Sequence, residues 1–104
     1  MTQQTFRALA DPTRRSILHM LAHRDMTVGD VSDQFDMTRA AVKKHLTVLQ
    51  DGNLIVVEPR GRTRINRINP EGFAPVHDWL SFFYQFWDAL LSTLKDVIEK
   101  DQSE

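Results

Sequence analysis

Apolar residues recur at helical spacing through the first half of the chain. Residues 2–9 predict a short first helix. Asp11 followed by Pro12 is typical of a helix start, with Asp as the N-cap and Pro at the first helical position. The second helix is expected to run to about Ala22, with Arg14 and Arg15 in its first exposed turn. Four of its apolar residues predict a face packed on a core: Ile17, Leu18, Met20 and Leu21.

Two further helices follow closely and predict a helix-turn-helix. Thr27, with Asp30 three residues later, resembles a capping box for a short third helix. Residues 35–37 end it, and Thr38 is expected to cap a fourth helix that continues to residue 50 or 51. Gly52 is expected to supply a left-handed residue after its end. Two helices separated by about three residues form this motif.

The pattern then changes from helical to extended. Residues 54–58 are rich in β-branched side chains, and residues 64–68 alternate polar with apolar. Residues 59–62 lie between them and contain Gly61, which favours a turn. The sequence therefore predicts a β-hairpin, or wing, directly after the second helix of the motif.

A final helix of about seven turns is predicted over residues 73–100. One apolar stripe is expected to pack on the domain's own core: Val76, Trp79, Leu80, Phe83, Trp87, Leu90, Leu91, Leu94 and Ile98. Phe82, Phe86 and Ala89 lie on a different side, which favours contact with a second copy of the chain across a twofold axis. Packing within one chain is the alternative. The order is thus α-α-α-α-β-β-α in a single domain over residues 1–100, with a disordered tail over residues 101–104.

Charge is distributed unevenly along the 104 residues. Residues 1–70 carry 11 basic and 7 acidic side chains, whereas residues 71–104 carry 2 and 7. Between Met37 and Arg67, seven basic residues face two acidic ones. Such a concentrated positive region suits a polyanion. The chain contains no cysteine, which excludes disulfides and thiolate metal sites within it. It begins with no export signal pattern, and we expect a cytoplasmic protein.

The basic residues fall on the two elements that would meet double-stranded DNA. In a helix-turn-helix the second helix enters the major groove. There Arg39 and Lys43 have the chemistry to bind guanine, and Ala40 to contact a thymine methyl. Thr38 and Lys44 are expected to contact phosphates. Three wing arginines are expected at the adjoining minor groove: Arg60, Arg62 and Arg64.

Other functions find less support in the residues. His19 and His23 are four apart on one helix, but no third metal ligand is evident, so we expect no metal and no cofactor. No nucleophile elbow or phosphate-binding glycine loop is present, so an enzyme is not expected. A winged helix that binds only proteins is the main alternative, and its wing would carry apolar anchors in place of arginines. The acidic side of the last helix disfavours binding to anionic membranes.

The chain resembles the ArsR-type family of bacterial transcriptional repressors. Three strings carry the resemblance: ALADPTRRSILHML, MTVGDVSDQFDMTRAAVKKHLTVLQDGNLI and RGRTRINRINPEGF. It implies a winged helix-turn-helix homodimer that binds a palindromic operator, with the recognition positions Thr38, Arg39, Ala40, Lys43 and His45 and the wing residues Arg62 and Arg64. It also implies a dimer interface on the first and last helices: Phe6, Trp79, Phe82, Phe83, Phe86, Trp87 and Leu90.

The family's usual metal sites are not matched in this sequence. Thr27 and Gly29 stand where metal-sensing members carry thiols, and His77 beside Asp78 lacks the second histidine of the other common site. The chain is similar to a cysteine-free, non-metal-sensing subgroup. This resemblance implies a repressor whose signal is an unidentified small organic inducer or is absent, with activation of transcription as an open alternative.

Overall fold

The computed structural model describes residues 2–102 and shows a mainly helical chain with one β-hairpin. This is the winged helix-turn-helix class that the sequence predicts. The elements are α1 (Thr2–Leu9), α2 (Pro12–His23), α3 (Val28–Ser32), α4 (Arg39–Asp51), β1 (Ile55–Arg60), β2 (Thr63–Ile68), α5 (Ala74–Tyr84) and α6 (Trp87–Gln102).

Local capping explains where α2, α3 and α4 begin. The Asp11 carboxylate accepts a hydrogen bond from the backbone N–H of Arg14 (3.0 Å), and the Thr38 hydroxyl accepts one from Ala41 (3.1 Å). At α3 the capping box is complete, because Thr27 Oγ1 accepts from the Asp30 N–H and Asp30 Oδ2 accepts from the Thr27 N–H. These bonds satisfy backbone donors that lack partners inside the helix.

The core is built where α2, α3, α4 and β1 meet. Val42, Leu46 and Leu49 form the inner face of α4 and are at most 4% exposed. They share one cluster with buried residues of the neighbouring elements: Ala8, Ile17, Leu18, Leu21, Met26, Val31, Leu54 and Ile55. Met20, predicted as a core residue, is partly buried at the edge of that cluster.

The end of α4 corrects one expectation. Gly52 has φ −79°, and the left-handed residue is Asn53, with φ 64°. The Leu54 N–H donates to the Leu49 carbonyl and the Asn53 N–H to the Gln50 carbonyl, which is a Schellman ending. Glycine is needed at position 52 for a different reason, since a Cβ there would lie 2.9 Å from the Gln4 carbonyl oxygen of α1.

The hairpin is longer than predicted and is tied to the helices at its base. β1 and β2 pair antiparallel from Ile55 opposite Ile68 to Arg60 opposite Thr63, leaving a two-residue turn in which Gly61 has φ 63°. Asn66, only 2% exposed, exchanges both backbone hydrogen bonds with Met26, and its side-chain amide also donates to the Met26 carbonyl. The sequence pattern predicts Asn66 only as a polar residue of the second strand. In the structure its side-chain amide is buried and hydrogen-bonded.

The prediction of one continuous helix over residues 73–100 is wrong. A 3-10 turn at Pro70–Phe73 leads into α5, and α5 and α6 are separated at residues 85–86. Five of the six residues from Phe82 to Trp87 are aromatic, and aromatic side chains favour the helix less because they lose rotamer freedom. Ring contacts across the break, such as Tyr84 to Trp87 at 6.2 Å, accompany it.

The predicted packing of the last helix on the domain's own core is also wrong, since no residue of α5 is buried and the stripe residues Trp79 and Leu80 are exposed. Every residue of α6 whose side chain is described is exposed, and α5 is the one element with which α6 has substantial contact. The helix continues to Gln102, so the first two residues of the predicted disordered tail are helical, and Ser103 and Glu104 lie outside the described residues. Within the described chain no helix is long and apolar enough to cross a membrane.

The junction between the hairpin and α5 depends on Gly72, which generates a prediction. A Cβ at this position would lie 1.6 Å from the Asn53 carbonyl oxygen, a position that no side chain can share. We expect Gly72→Ala to lower the free energy of unfolding by about 3 kcal/mol or more. Gly61→Ala is the matched control, because its Cβ would meet open space and only the left-handed backbone is strained, at a cost of about 1 kcal/mol. Urea unfolding measures both, and equal losses would contradict the prediction.

The capping box predicts a pH dependence of stability. The pKa of Asp30 is lowered from 3.8 chiefly because its carboxylate accepts the Thr27 backbone N–H. A carboxyl group with a lowered folded-state pKa stabilises the fold above its unfolded pKa, and this contribution is lost as pH falls through the folded pKa. We expect Asp30→Asn to lower the urea midpoint at neutral pH, with the difference from wild type shrinking below about pH 4. Asp36→Asn, at an exposed turn carboxylate, is the control; a pH-independent deficit in Asp30→Asn would contradict the assignment.

Candidate nucleic-acid interface

The outer face of α4 carries polar and basic side chains because its inner face is fully used by the core. Thr38, Arg39, Ala40, Lys43 and Lys44 are all exposed. The N-terminus of α4 is also open to solvent, and helix N-termini attract anions. The structure therefore places five of the six predicted α4 residues on the surface of the second helix of the motif.

Arg39 lies back over the preceding helix. Its guanidinium is so close to Gly29 that a Cβ at that glycine would be 2.9 Å from Arg39 Nη2. The glycine thus leaves the space in which this long side chain rests on α3.

The wing carries its basic residues beside α4. Arg60, Arg62 and Arg64 are exposed at the outer half of the hairpin. Lys43 and Arg64 line one cleft between α4 and the hairpin, together with Thr47 and Gln50, which the sequence analysis did not single out. Lys43, Thr47 and Gln50 share one face of α4 by their helical spacing, and the position of the hairpin brings Arg64 beside them.

The basic residues of this surface have no acidic partner, unlike one other arginine of the wing and one lysine of α6. Arg67 pairs with Glu58 at 3.0 Å and Lys95 with Glu99 at 3.8 Å. Within residues 2–102, no ion pair is formed by six residues that we call the basic surface: Arg39, Lys43, Lys44, Arg60, Arg62 and Arg64. Their charges are therefore not neutralised by the protein, which suits a polyanionic ligand.

His45 is set apart from the basic surface. It is half-buried and faces the start of α2, where its Nδ1 lies 3.3 Å from Arg14 Nη1 and 3.9 Å from Asp11 Oδ2. The pKa of Asp11 is lowered from 3.8, first by its hydrogen bond from the Arg14 backbone N–H and also by the positive charge of Arg14.

Arg15 is exposed, as the sequence predicts, whereas Arg14 is not, and both bind the end of α1. Arg14 is half-buried and donates to the carbonyl oxygens of Ala8 (2.8 Å) and Arg7 (3.1 Å), and Arg15 donates to that of Leu9 (2.8 Å). They satisfy the last carbonyls of α1, which have no partner inside that helix. No sequence signal reveals this, because it depends on where α1 ends in space.

The aromatic residues of the terminal helices form a second exposed region. Phe6 of α1 contacts Trp79 of α5 (ring centroids 5.9 Å apart), and Trp79 contacts Phe83 (5.1 Å). Trp79 is 55% exposed and Phe82 61% exposed even so. The other predicted interface residues, Phe86, Trp87 and Leu90, are about half exposed, at 48–49%.

The predicted metal-ligand candidates are not brought together. No group of three or more histidine, aspartate or glutamate side chains that could hold a metal ion occurs among residues 2–102. His77 lies 3.6 Å from Asp78, its neighbour in sequence, and both are exposed.

Comparison with known proteins identifies the class of this chain. Residues 9–58 match the model of a helix-turn-helix domain family. The HTH-type transcriptional regulator Rv2034 of Mycobacterium tuberculosis is 33% identical over 98 residues, which are 94% of this chain and 89% of the relative. A solved ArsR family transcriptional regulator is 36% identical with a TM-score of 0.73, covering 83% of this chain and 89% of that one. The chain belongs to the ArsR family.

A further similarity agrees with this assignment. The transcriptional repressor SdpR of Bacillus subtilis is 31% identical to this protein over 78 residues, which are 75% of this chain and 87% of the relative. The ArsR-family chain is thus a transcriptional regulator with a helix-turn-helix DNA-binding domain. The two relatives named above are a transcriptional regulator and a transcriptional repressor.

Proposed function

We propose that this ArsR-family chain is a homodimeric repressor that binds a palindromic operator. In this proposal α4 enters the major groove and the β1–β2 wing lies at the adjoining minor groove. One observation carries it: the cations of the basic surface lie side by side on these two elements without acidic partners. Such an arrangement favours binding to phosphates and to the acceptor edges of guanine.

Different roles follow from the position of each residue. Arg39 and Lys43, in the first turns of α4, are assigned to base edges, and Ala40 to a thymine methyl. Thr38 and Lys44 are assigned to phosphates. The wing arginines Arg60, Arg62 and Arg64 are assigned to the minor groove or its phosphates, where a narrow A·T-rich groove strengthens attraction to arginine.

The terminal helices supply the homodimer. Phe6, Phe83 and Trp79 are already in contact within one chain, and the exposed faces of Phe82, Phe86, Trp87 and Leu90 continue the same apolar region. An apolar region of this extent favours association of two copies. A twofold axis also gives two α4 helices, which is what a palindromic operator requires.

The proposal assigns no metal or other cofactor to the protein. The absence of cysteine from these 104 residues removes the thiolate type of sensor site. A regulator of this class acts where the chromosome is, so the proposal includes a cytoplasmic location.

Base reading by Arg39 can be separated from phosphate binding by the wing. We expect Arg39→Ala to weaken operator binding by about 1–3 kcal/mol and to affect random duplex less, because a base contact is sequence-specific. Arg62→Ala is expected to weaken binding to both duplexes alike and to reduce the salt slope by about one. Arg67→Ala is the matched control, since this arginine is paired with Glu58. Fluorescence anisotropy titrations measure these effects, and equal losses on both duplexes for Arg39→Ala would contradict its role.

The proposed dimer interface can be tested by introducing a charge that would be buried in it. We expect Phe86→Glu to raise the dimer dissociation constant at least about a hundredfold, because an unpaired carboxylate would be buried between the two copies. Operator binding should weaken with it. Ser92→Glu places the same charge at a polar position of α6 and should leave the dimer intact. Sedimentation equilibrium measures both variants; an unchanged dimer in Phe86→Glu would remove this residue from the interface.

A further inference from the structure

The Arg14 side chain joins three elements: α2, which carries it, α1 and α4. Its Nε donates to the Ala8 carbonyl (2.8 Å) and its Nη2 to the Arg7 carbonyl (3.1 Å), both at the end of α1. Its Nη1 lies 3.3 Å from Nδ1 of His45 on α4. The guanidinium is therefore held from both sides, and its position relative to α4 is fixed by α1.

The chemistry of this contact determines where His45 carries its proton. A guanidinium has five N–H donors and no acceptor. For the 3.3 Å contact to be a hydrogen bond, Nδ1 of His45 must be the unprotonated nitrogen that accepts. The imidazole is then neutral, and its proton lies on Nε2.

The Nε2 atom of His45 has no hydrogen-bond partner among the described residues. The same part of the chain contains no buried side-chain nitrogen or oxygen that lacks a partner. It follows that Nε2 reaches solvent. His45 lies two helical turns from Thr38, the cap of α4, so the two residues share one side of the helix.

Of the two charged groups beside His45, Arg14 favours the neutral imidazole. Arg14 and Asp11, both at the start of α2, are the ones that face it. A protonated imidazole would carry a hydrogen on Nδ1 directed at the Arg14 donor, and the hydrogen bond would be lost. The Asp11 carboxylate, at 3.9 Å, is beyond hydrogen-bond distance and does not replace it without a movement.

We propose that Arg14 is a positioning residue for DNA binding: it holds His45 as the neutral tautomer, so that α4 presents the Nε2–H as a donor to a DNA phosphate. This inference rests on the proposed function. It gives His45 two separate roles, since Nδ1 fastens α4 to α2 and α1 while Nε2 binds DNA. It also makes the end of α1 part of the apparatus that sets the position of α4.

The first test determines the tautomer of His45 and needs no DNA. Nitrogen-15 NMR of the imidazole rings at about pH 8, where free histidine is neutral, distinguishes the two nitrogens, and the His45→Gln spectrum assigns the His45 signals. We expect His45 Nδ1 to be unprotonated and Nε2 protonated, and Arg14→Met to give a mixture of tautomers. A proton on Nδ1 in the wild type, or an unchanged spectrum in a folded Arg14→Met, would overturn the proposal.

The second test separates the two nitrogens by substitution. The Asn side chain ends near the Nδ1 position, so His45→Asn keeps an acceptor for Arg14 and loses the outer donor. The Gln side chain reaches the Nε2 position, so His45→Gln keeps the outer donor and loses the acceptor. We expect His45→Asn to retain its thermal stability but bind the operator about tenfold more weakly. We expect His45→Gln to be less stable than wild type and to bind the operator more tightly than His45→Asn, because it keeps the outer donor, but more weakly than wild type, because the contact with Arg14 is lost.

The outcomes distinguish this inference from the proposed function. Equal operator affinities for the two variants, alongside a wild type that binds specifically, would overturn the role of Nε2. A wild type that binds no duplex specifically would overturn the proposed function, and with it the DNA role of His45, whereas the NMR result would still report whether Arg14 sets the tautomer.

Discussion

The structure depends first on the burial of one face of α4. Val42, Leu46 and Leu49 are nearly inaccessible to solvent and contact residues from α2, α3 and β1 in one cluster. Removing so much apolar surface from water fixes the rotation of the helix about its axis, because any other rotation would expose these side chains. The outer face is then determined as well, and Arg39, Lys43 and Lys44 have no position except the surface.

Two backbone junctions transmit this constraint to the rest of the molecule. Asn66 and Met26 pair the hairpin with the loop before α3, so the wing is held beside α4 and its arginines extend the same charged surface. Gly72 lies against the Asn53 carbonyl, and Asn69 donates to that same oxygen at 3.0 Å. The direction in which α5 leaves the domain is therefore set by the end of α4, which connects the region proposed for dimerisation with the region proposed for DNA binding.

Features that are local in sequence could be predicted from the sequence. The caps at Asp11, Thr27 and Thr38 and the position of the hairpin depend on a few neighbouring residues, and all were predicted. The contacts of Arg14 with α1 and His45 join residues that are distant in sequence, so periodicity could not reveal them.

Two predictions were wrong, one at the end of α4 and one in the last helix. At the end of α4, Gly52 takes ordinary angles and Asn53 the left-handed ones, and the close approach of α1 explains why residue 52 is a glycine. The break between α5 and α6 lies in a run of aromatic residues that hydrophobic periodicity reads as a continuous stripe. The exposed basic residues were placed on the correct elements, although their contacts with DNA remain predictions.

The central claim is that two copies of this chain bind one specific DNA site through the basic surface. It is tested most directly by titrating the labelled upstream region of its own gene and a random duplex with the protein at several salt concentrations. The account predicts a preference of about a thousandfold or more for one palindromic site, bound by two chains, with a steep decrease in affinity as salt rises. Equal, weak binding to both duplexes, while the protein binds another protein through its wing, would contradict it.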